Sequence, residues 1–522
     1  MARALERFSQ LLRNPPLRRP AAWLSMAAIA LTIYVVAFGV PFFIGKHFTV
    51  PQLTWVGIVG YRIDVAVAYT LALCTLFALY YLGYRTLTAH PALPLWVIYV
   101  PPVAFALVLL AIYPPGGWDL FLYVSQGRLY SAHSLNPFFA TPLDAPADPL
   151  FQYSSWWPYP STYGPAWQML AILLSLLGGQ NLWLNMLVFK LASVVFFSGA
   201  VVLVYLILRQ HRTEVRHIGA YLLAWNPLLL FEIAGNGHND IVMVFFVLLA
   251  IYLVSLKRLL WTLPVLAISA LVKYSSGLLF PGMIVFIWSS AKGLRQKLVW
   301  TAGGAALSAV ALLLFARPFG MVYSLFALFG LEELYRSSPA TLLYFSLQGS
   351  FSQHDASNIV KIVVALGLGT ACVVEWVRFV RVGGPPKLEA LLSFGYQVTF
   401  FFLLFLPRFH PWFVVWLVGL GVLLVGTEQM KRAVLLSFSA FLSHIVYYFV
   451  YGIYQDRLNN FTFEMMGTAV VFGPPLIYWL YSCIRSRRSL LEQQNRTIAL
   501  QEAEIARLKA LVPKHRTLER TR

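Results

Sequence analysis

The chain has 522 residues with 39 Lys and Arg against 20 Asp and Glu, a formal net charge of +19. Charged residues make up 11% of it and hydrophobic ones 59%, where a soluble globular protein carries about 25% charged residues. This composition excludes a soluble domain and points to a polytopic membrane protein. The basic residues form short clusters between apolar runs, not one stripe, which argues against a nucleic-acid partner.

A helix needs about 20 apolar residues to cross roughly 30 Å of hydrocarbon. Fourteen runs are read as spans: 22–44, 65–84, 94–114, 180–208, 217–236, 241–256, 259–273, 275–291, 298–316, 359–377, 388–406, 411–427, 433–453 and 465–484. The first is longer than a signal-peptide core and lacks a small-residue cleavage pattern, so it should persist as a helix. The fold expected is an all-α bundle of about 14 transmembrane helices over residues 1–484, followed by a basic helical tail over 485–522.

Basic residues flank the cytoplasmic side of membrane spans. Arg3, Arg7, Arg13, Arg18 and Arg19 precede the first run, and an even number of spans places both termini in the cytoplasm of a multi-pass cell-membrane protein. This topology puts 29 Lys and Arg inside. Nine lie outside: Lys46, Arg62, Arg128, Lys273, Arg317, Arg336, Lys361, Arg408 and Arg457. Lys190 falls within a span and is expected to pair with a carboxylate of another helix. The marginal run 163–179 is read as re-entrant or surface-lying, because a full crossing would move the cluster Arg209–His217 outside.

The segment 114–165 interrupts the pattern. It carries Asp119 just after an apolar run, then a half-polar stretch dense in Tyr, Trp and Pro that cannot cross a bilayer and must lie at its surface or line a cavity. The same face receives Gly235–Asp240 (GNGHND), Lys273 and Arg408–Trp412 (RFHPW), and also a long polar, aromatic segment, 317–358, of the kind that forms lids or binding loops. In the tail, Leu491, Ile498 and Ile505 recur at seven-residue spacing. That reads either as a short coiled coil pairing two copies or as a basic helix on anionic lipid.

A carboxylate at the membrane surface can serve as a general base or cap its helix, and Asp119 is the first candidate. His238 and Asp240 could orient a sugar, but two ligands do not make a metal site, and a capping turn with Asn239 or Asp240 at the N-cap accounts for them equally. Lys273, Arg408 and His410 are cations at the outer ends of apolar helices. Each alone reads as an interface anchor; together with a carboxylate on the same face they suit an anionic, lipid-linked ligand. Cys74, Cys372 and Cys483 have neither disulfide-framework nor zinc spacing.

An early external Asp is followed by GRLY at Gly127, NPF at Asn136, YGP at Tyr163, GHND at Gly237, KYSSGLLFP at Lys273 and RFHPWF at Arg408. In that order, over roughly residues 100–420, these motifs resemble the GT-C integral-membrane glycosyltransferases, most closely the polyprenyl-phosphate-mannose-dependent mannosyltransferases. The chain departs from the pattern in having two extra spans before the Asp-bearing loop and no second acid beside Asp119. The resemblance implies that Asp119 is the catalytic carboxylate of an external loop, 115–165, and that Lys273, Arg408 and His410 contact the donor phosphate. Arg128, Tyr163, His238 and Asp240 would then contact substrate, with Trp156, Trp157 and Tyr159 stacking on the acceptor. The substrates implied are a polyprenyl-monophosphate hexose, mannose above all, and a glycan or glycolipid acceptor, with inversion and with no metal or other cofactor. A transporter or flippase of a lipid-linked sugar is the rival reading. It predicts midplane charges and an internal repeat, whereas here the unusual residues gather at one face.

Overall fold

The structure, a computed structural model, describes residues 20–90, 94–320, 336–381 and 387–511. The five N-terminal arginines, the middle of the 317–358 segment, the end of the tail and the side chains of Leu491 and Ile498 lie outside the described residues.

Among those residues the chain is mostly helical, without a strand; the extended pairings are two isolated bridges, Phe43 with Ile112 and Arg336 with Arg408. Every one of the fourteen apolar runs forms helix, but they are not equally long. Eight helices have the length and composition to cross a membrane: Pro20–Gly39, Ile63–Ala89, Leu182–His211, Leu294–Phe319, Gln353–Arg381, Leu388–Phe405, Glu428–Tyr454 and Asn460–Arg485. The pair Thr213–Ala224 and Pro227–Gly235, bent by 49°, makes a ninth if counted as one broken span. The other five runs give the shorter helices Leu95–Leu110, Asp240–Ser255, Leu259–Val272, Tyr274–Ser290 and Pro411–Gly421. At about 1.5 Å per residue the 16 residues of Asp240–Ser255 reach roughly 24 Å, short of a bilayer core. Fourteen full crossings are therefore more than the helix lengths supply.

Local chemistry sets the breaks. Asn226 ends one half of the bent pair and caps the other: its Oδ1 accepts from Leu228 and Leu229 N at 3.1 and 3.3 Å, with Pro227 at the first helical position. Lys190, fully buried, does not meet a carboxylate as expected. Its ammonium donates to the carbonyls of Leu109, Leu110 and Ile112 at 2.8, 3.0 and 2.7 Å, satisfying the free acceptors at the C-terminus of helix Leu95–Leu110. This anchors the turn that leads into Asp119.

The segment expected as a loop contains a 15-residue helix, Asp119–His133, packed on Pro165–Gly178, the marginal run, which spans 14 residues. The last helix runs unbroken from Asn460 to Leu511, so the tail continues the final span.

Candidate active site

A cavity of about 1100 Å³ opens where five distant parts of the chain converge: 116–119, 156–163, 273–278, 336–337 and 407–413, with the end of helix Glu428–His444 and the turns after it as the far wall. Asp119, Tyr163, Lys273, Arg408 and His410 all line it. Four of the nine basic residues assigned to the outer face, Lys273, Arg336, Lys361 and Arg408, do so as well.

Asp119 begins its helix, where unpaired backbone N–H groups favour a negative charge. Tyr163 Oη donates to its Oδ2 at 3.3 Å. Burial first, and then Asp119 itself, push the Tyr163 phenol well above its ordinary range, so it stays a donor. On the other side His238 Nδ1 is 3.8 Å from the same oxygen. Asp119 is the one carboxylate among the described residues that lines the cavity.

The cations face it. Arg408 lies 4.8 Å over the ring of Trp156, which adopts a left-handed backbone at φ 59°. The bridge to Arg336, with Arg336 N on Pro407 O at 3.2 Å and Phe409 N on Arg336 O at 2.8 Å, brings a second arginine to the same cavity, its guanidinium 4.5 Å over the Tyr447 ring. Lys273 Nζ bonds Asp240 Oδ1 at 2.7 Å and sits 4.8 Å from the Phe413 ring and 5.1 Å from Trp416. At His410, which also lines the cavity, burial and then Arg408 and Arg336 hold the imidazole well below its usual range.

Three expected contacts are placed elsewhere. Arg128 is 4% exposed and pairs with Asp148 at 2.8 Å, which also meets His133 Nε2 at 2.7 Å; the trio fastens helix Asp119–His133 to the 142–153 turns and does not reach the cavity. Asp240 is fully buried behind Lys273 and takes a bond from Trp416 Nε1, so it orients the lysine. Asn239 precedes that helix without a side-chain cap bond. His238 is fully buried beneath Asp119, stacked at 4.0 Å on Trp412, whose other neighbour is His410 at 4.3 Å. The left-handed Gly237, φ 76°, turns the chain so that His238 points back under the site. Of the aromatics, Trp156, Tyr159 and Tyr163 line the cavity, whereas Trp157 stacks on Phe151 at 5.7 Å.

Arg336, Glu232 and His444 were not singled out from the sequence. Glu232 lies inside an apolar run, and an acid at that depth is itself a signal of function. It is fully buried, with His238 Nε2 at 3.3 Å from one oxygen and His444 Nε2 at 3.0 Å from the other.

Two comparisons bear on what this arrangement belongs to. The chain is 24% identical over 337 residues to alpha-(1→6)-mannopyranosyltransferase A of Mycobacterium tuberculosis (strain ATCC 25618 / H37Rv), a match covering 60% of this chain and 62% of that protein. The chain therefore spans somewhat less than two thirds of the length of that curated relative. Residues 23–290 match the profile of a family described as alpha-(1→6)-mannopyranosyltransferase, N-terminal domain. That stretch carries Asp119, Tyr163, Glu232, His238, Asp240 and Lys273 and covers just over half of the sequence, and on it the chain belongs to the alpha-(1→6)-mannopyranosyltransferase family.

Proposed function

We propose that the chain transfers mannose from a polyprenyl-monophosphate carrier to a hydroxyl of a glycan or glycolipid acceptor, forming the α-(1→6) linkage that its family's name describes. The observation that carries this reading is the single cavity in which one carboxylate, Asp119, faces Lys273, Arg336 and Arg408. Asp119 takes the acceptor's hydroxyl proton as the acceptor oxygen bonds to the anomeric carbon. The bond from that carbon to phosphate breaks, its electron pair leaves with the phosphate, and the cations stabilise the charge that develops there. Inversion with an α product then requires a β-linked donor. The site faces the non-cytoplasmic side with both termini inside, which fits the convergence of four basic residues assigned to the outer face on one cavity.

Asp119→Asn keeps side-chain volume but cannot take the proton, so turnover should fall by about 10²–10⁴-fold with donor binding barely changed. Arg408→Ala should weaken donor binding as well as turnover. Transfer from purified polyprenyl-phosphate-mannose in nanodiscs, with donor binding measured separately, tests both. Near-normal turnover in Asp119→Asn overturns the mechanism. A lone carboxylate among cations is a poor divalent-metal site, so transfer should survive EDTA; loss restored by Mg²⁺ or Mn²⁺ would refute the metal-free reading.

A further inference from the structure

Four ionisable side chains run beneath the cavity from one wall to the other: Asp119, His238, Glu232 and His444, of which Asp119 and His444 line the cavity. Glu232 and His238 have no exposure and His444 has 2%. His444 Nδ1 lies 3.2 Å from the carbonyl of Phe441, which can only accept, so that nitrogen carries a hydrogen. Its Nε2 stands 3.0 Å from Glu232 Oε1, and a lone pair facing a carboxylate there would leave both groups buried and unsatisfied. A proton therefore lies between them. His238 lies between two carboxylates, its Nε2 3.3 Å from Glu232 Oε2 and its Nδ1 3.8 Å from Asp119 Oδ2. Glu232, fully buried, thus has an imidazole facing each of its two oxygens. Asn236 ties the cluster to the catalytic turn: its Nδ2 donates to Glu232 Oε2 at 2.7 Å and its Oδ1 accepts from Gly116 N at 3.1 Å.

We propose that Glu232 and His444 are positioning residues for Asp119. Glu232, flanked by His444, keeps an N–H of His238 directed at Asp119, so that the base is oriented by His238 on one side and Tyr163 on the other. The inference rests on Asp119 being the base. The other titratable groups around Asp119 and Glu232 are Tyr123 and Tyr448, with Arg408 and Arg336 across the cavity and His410 beyond Trp412. None of these supplies Glu232 with a second partner of opposite charge.

The test is Glu232→Gln, with His444→Gln as a second variant, in the full-length protein in nanodiscs. Without the carboxylate, His238 loses the group that holds its Nε2, its ring is free to turn away from Asp119, and a charge close to the base is removed. Turnover should fall by about 10–100-fold, the KM for donor should stay unchanged, and the acid limb of the pH–rate profile should move. His444→Gln should move it as well. If both variants fold and keep the wild-type pH profile while Asp119→Asn is inactive, the positioning role is refuted and the base stands. If Asp119→Asn is active, it is the base that fails. A fall in turnover that tracks only lost thermal stability, with the pH profile unmoved, also refutes the inference. Should neither variant fold, infrared spectroscopy of the wild-type protein decides. The band of a protonated, buried carboxyl at neutral pH overturns the proposal, and ionised carboxylates alone support it.

Discussion

Gly117 is the position at which the smallest change should reach the chemistry. A Cβ built there would stand 2.6 Å from His238 Nε2 and 2.7 Å from its Cε1, where ordinary contact begins at 3.4 Å. Either the ring or the turn must therefore give by about 0.8 Å, the difference between 2.6 and 3.4 Å. The ring is confined, being fully buried with Trp412 stacked on its face at 4.0 Å. The displacement falls on the turn, and Asp119 is only two residues further on. Overpacking of this kind costs about 1–3 kcal/mol, and displacing a reacting group by about 1 Å costs on the order of 10²-fold in rate. Gly117→Ala should thus fold with a modestly lower melting temperature, bind donor normally and turn over about 10–100-fold more slowly. Gly369, whose Cβ would meet nothing within 4 Å, provides the control: it lies within helix Gln353–Arg381, so Gly369→Ala should leave turnover unchanged and the melting temperature unchanged or slightly raised. Wild-type turnover and melting temperature in Gly117→Ala would refute the claim that this turn is pressed against His238.

Asp148→Asn should destabilise the protein by about 3–5 kcal/mol in thermal unfolding, because it leaves the buried Arg128 guanidinium without its counter-ion; a loss below about 0.5 kcal/mol would show the pair to be dispensable. Burial opposes ionisation of Asp148, but Arg128 and His133 outweigh it and hold the carboxyl below its ordinary value. A depressed carboxyl contributes stability that is full above the unfolded value, about 3.9, and is lost as pH falls through the folded one, so wild-type stability should drop below about pH 4 by a step that Asp148→Asn lacks. Because His410 is held well below the usual range, donor affinity should stay flat between about pH 6 and 8, where a free histidine titrates; a step in Kd near pH 6.5 that vanishes in His410→Gln would contradict its neutral state.

Hydrophobic run length located the helices of all fourteen apolar runs, because in lipid the backbone must satisfy itself and helix is the default way to do so; it missed the half-polar helix Asp119–His133. It could not separate a crossing from a buried half-length helix. Asp240–Ser255 is as apolar as any span, yet it is walled in by protein and stops short. The charge rule collected Asp119, Lys273, Arg408 and His410 on one face, and the cavity unites them. It said nothing of partners: Lys190 looked like half of an ion pair but caps carbonyls, and Arg128 shares the outer face while serving Asp148 in a separate cluster. Glu232 and His444 were legible only as polar residues out of place in apolar runs. Their relation, 212 positions apart, exists only once helix Glu428–His444 packs beside the broken pair.

The bridge between Arg336 and Arg408 has a consequence for turnover. A sugar linked through phosphate to a polyprenol is a diester with one negative charge. The polyprenyl phosphate left after transfer is a monoester, and near neutral pH it carries about 1.5 to 2. If the donor is the polyprenyl-phosphate sugar proposed above, two arginines whose backbones are paired and which line one cavity with Lys273 would attract the spent carrier more strongly than the loaded one. With that donor, the enzyme should show product inhibition by polyprenyl phosphate that deepens as pH rises through about 6, and carrier release, not glycosidic bond formation, should limit the steady state. A pre-steady-state burst of mannosylated acceptor would reveal it, and Arg336→Ala should shrink that burst by speeding departure of the carrier.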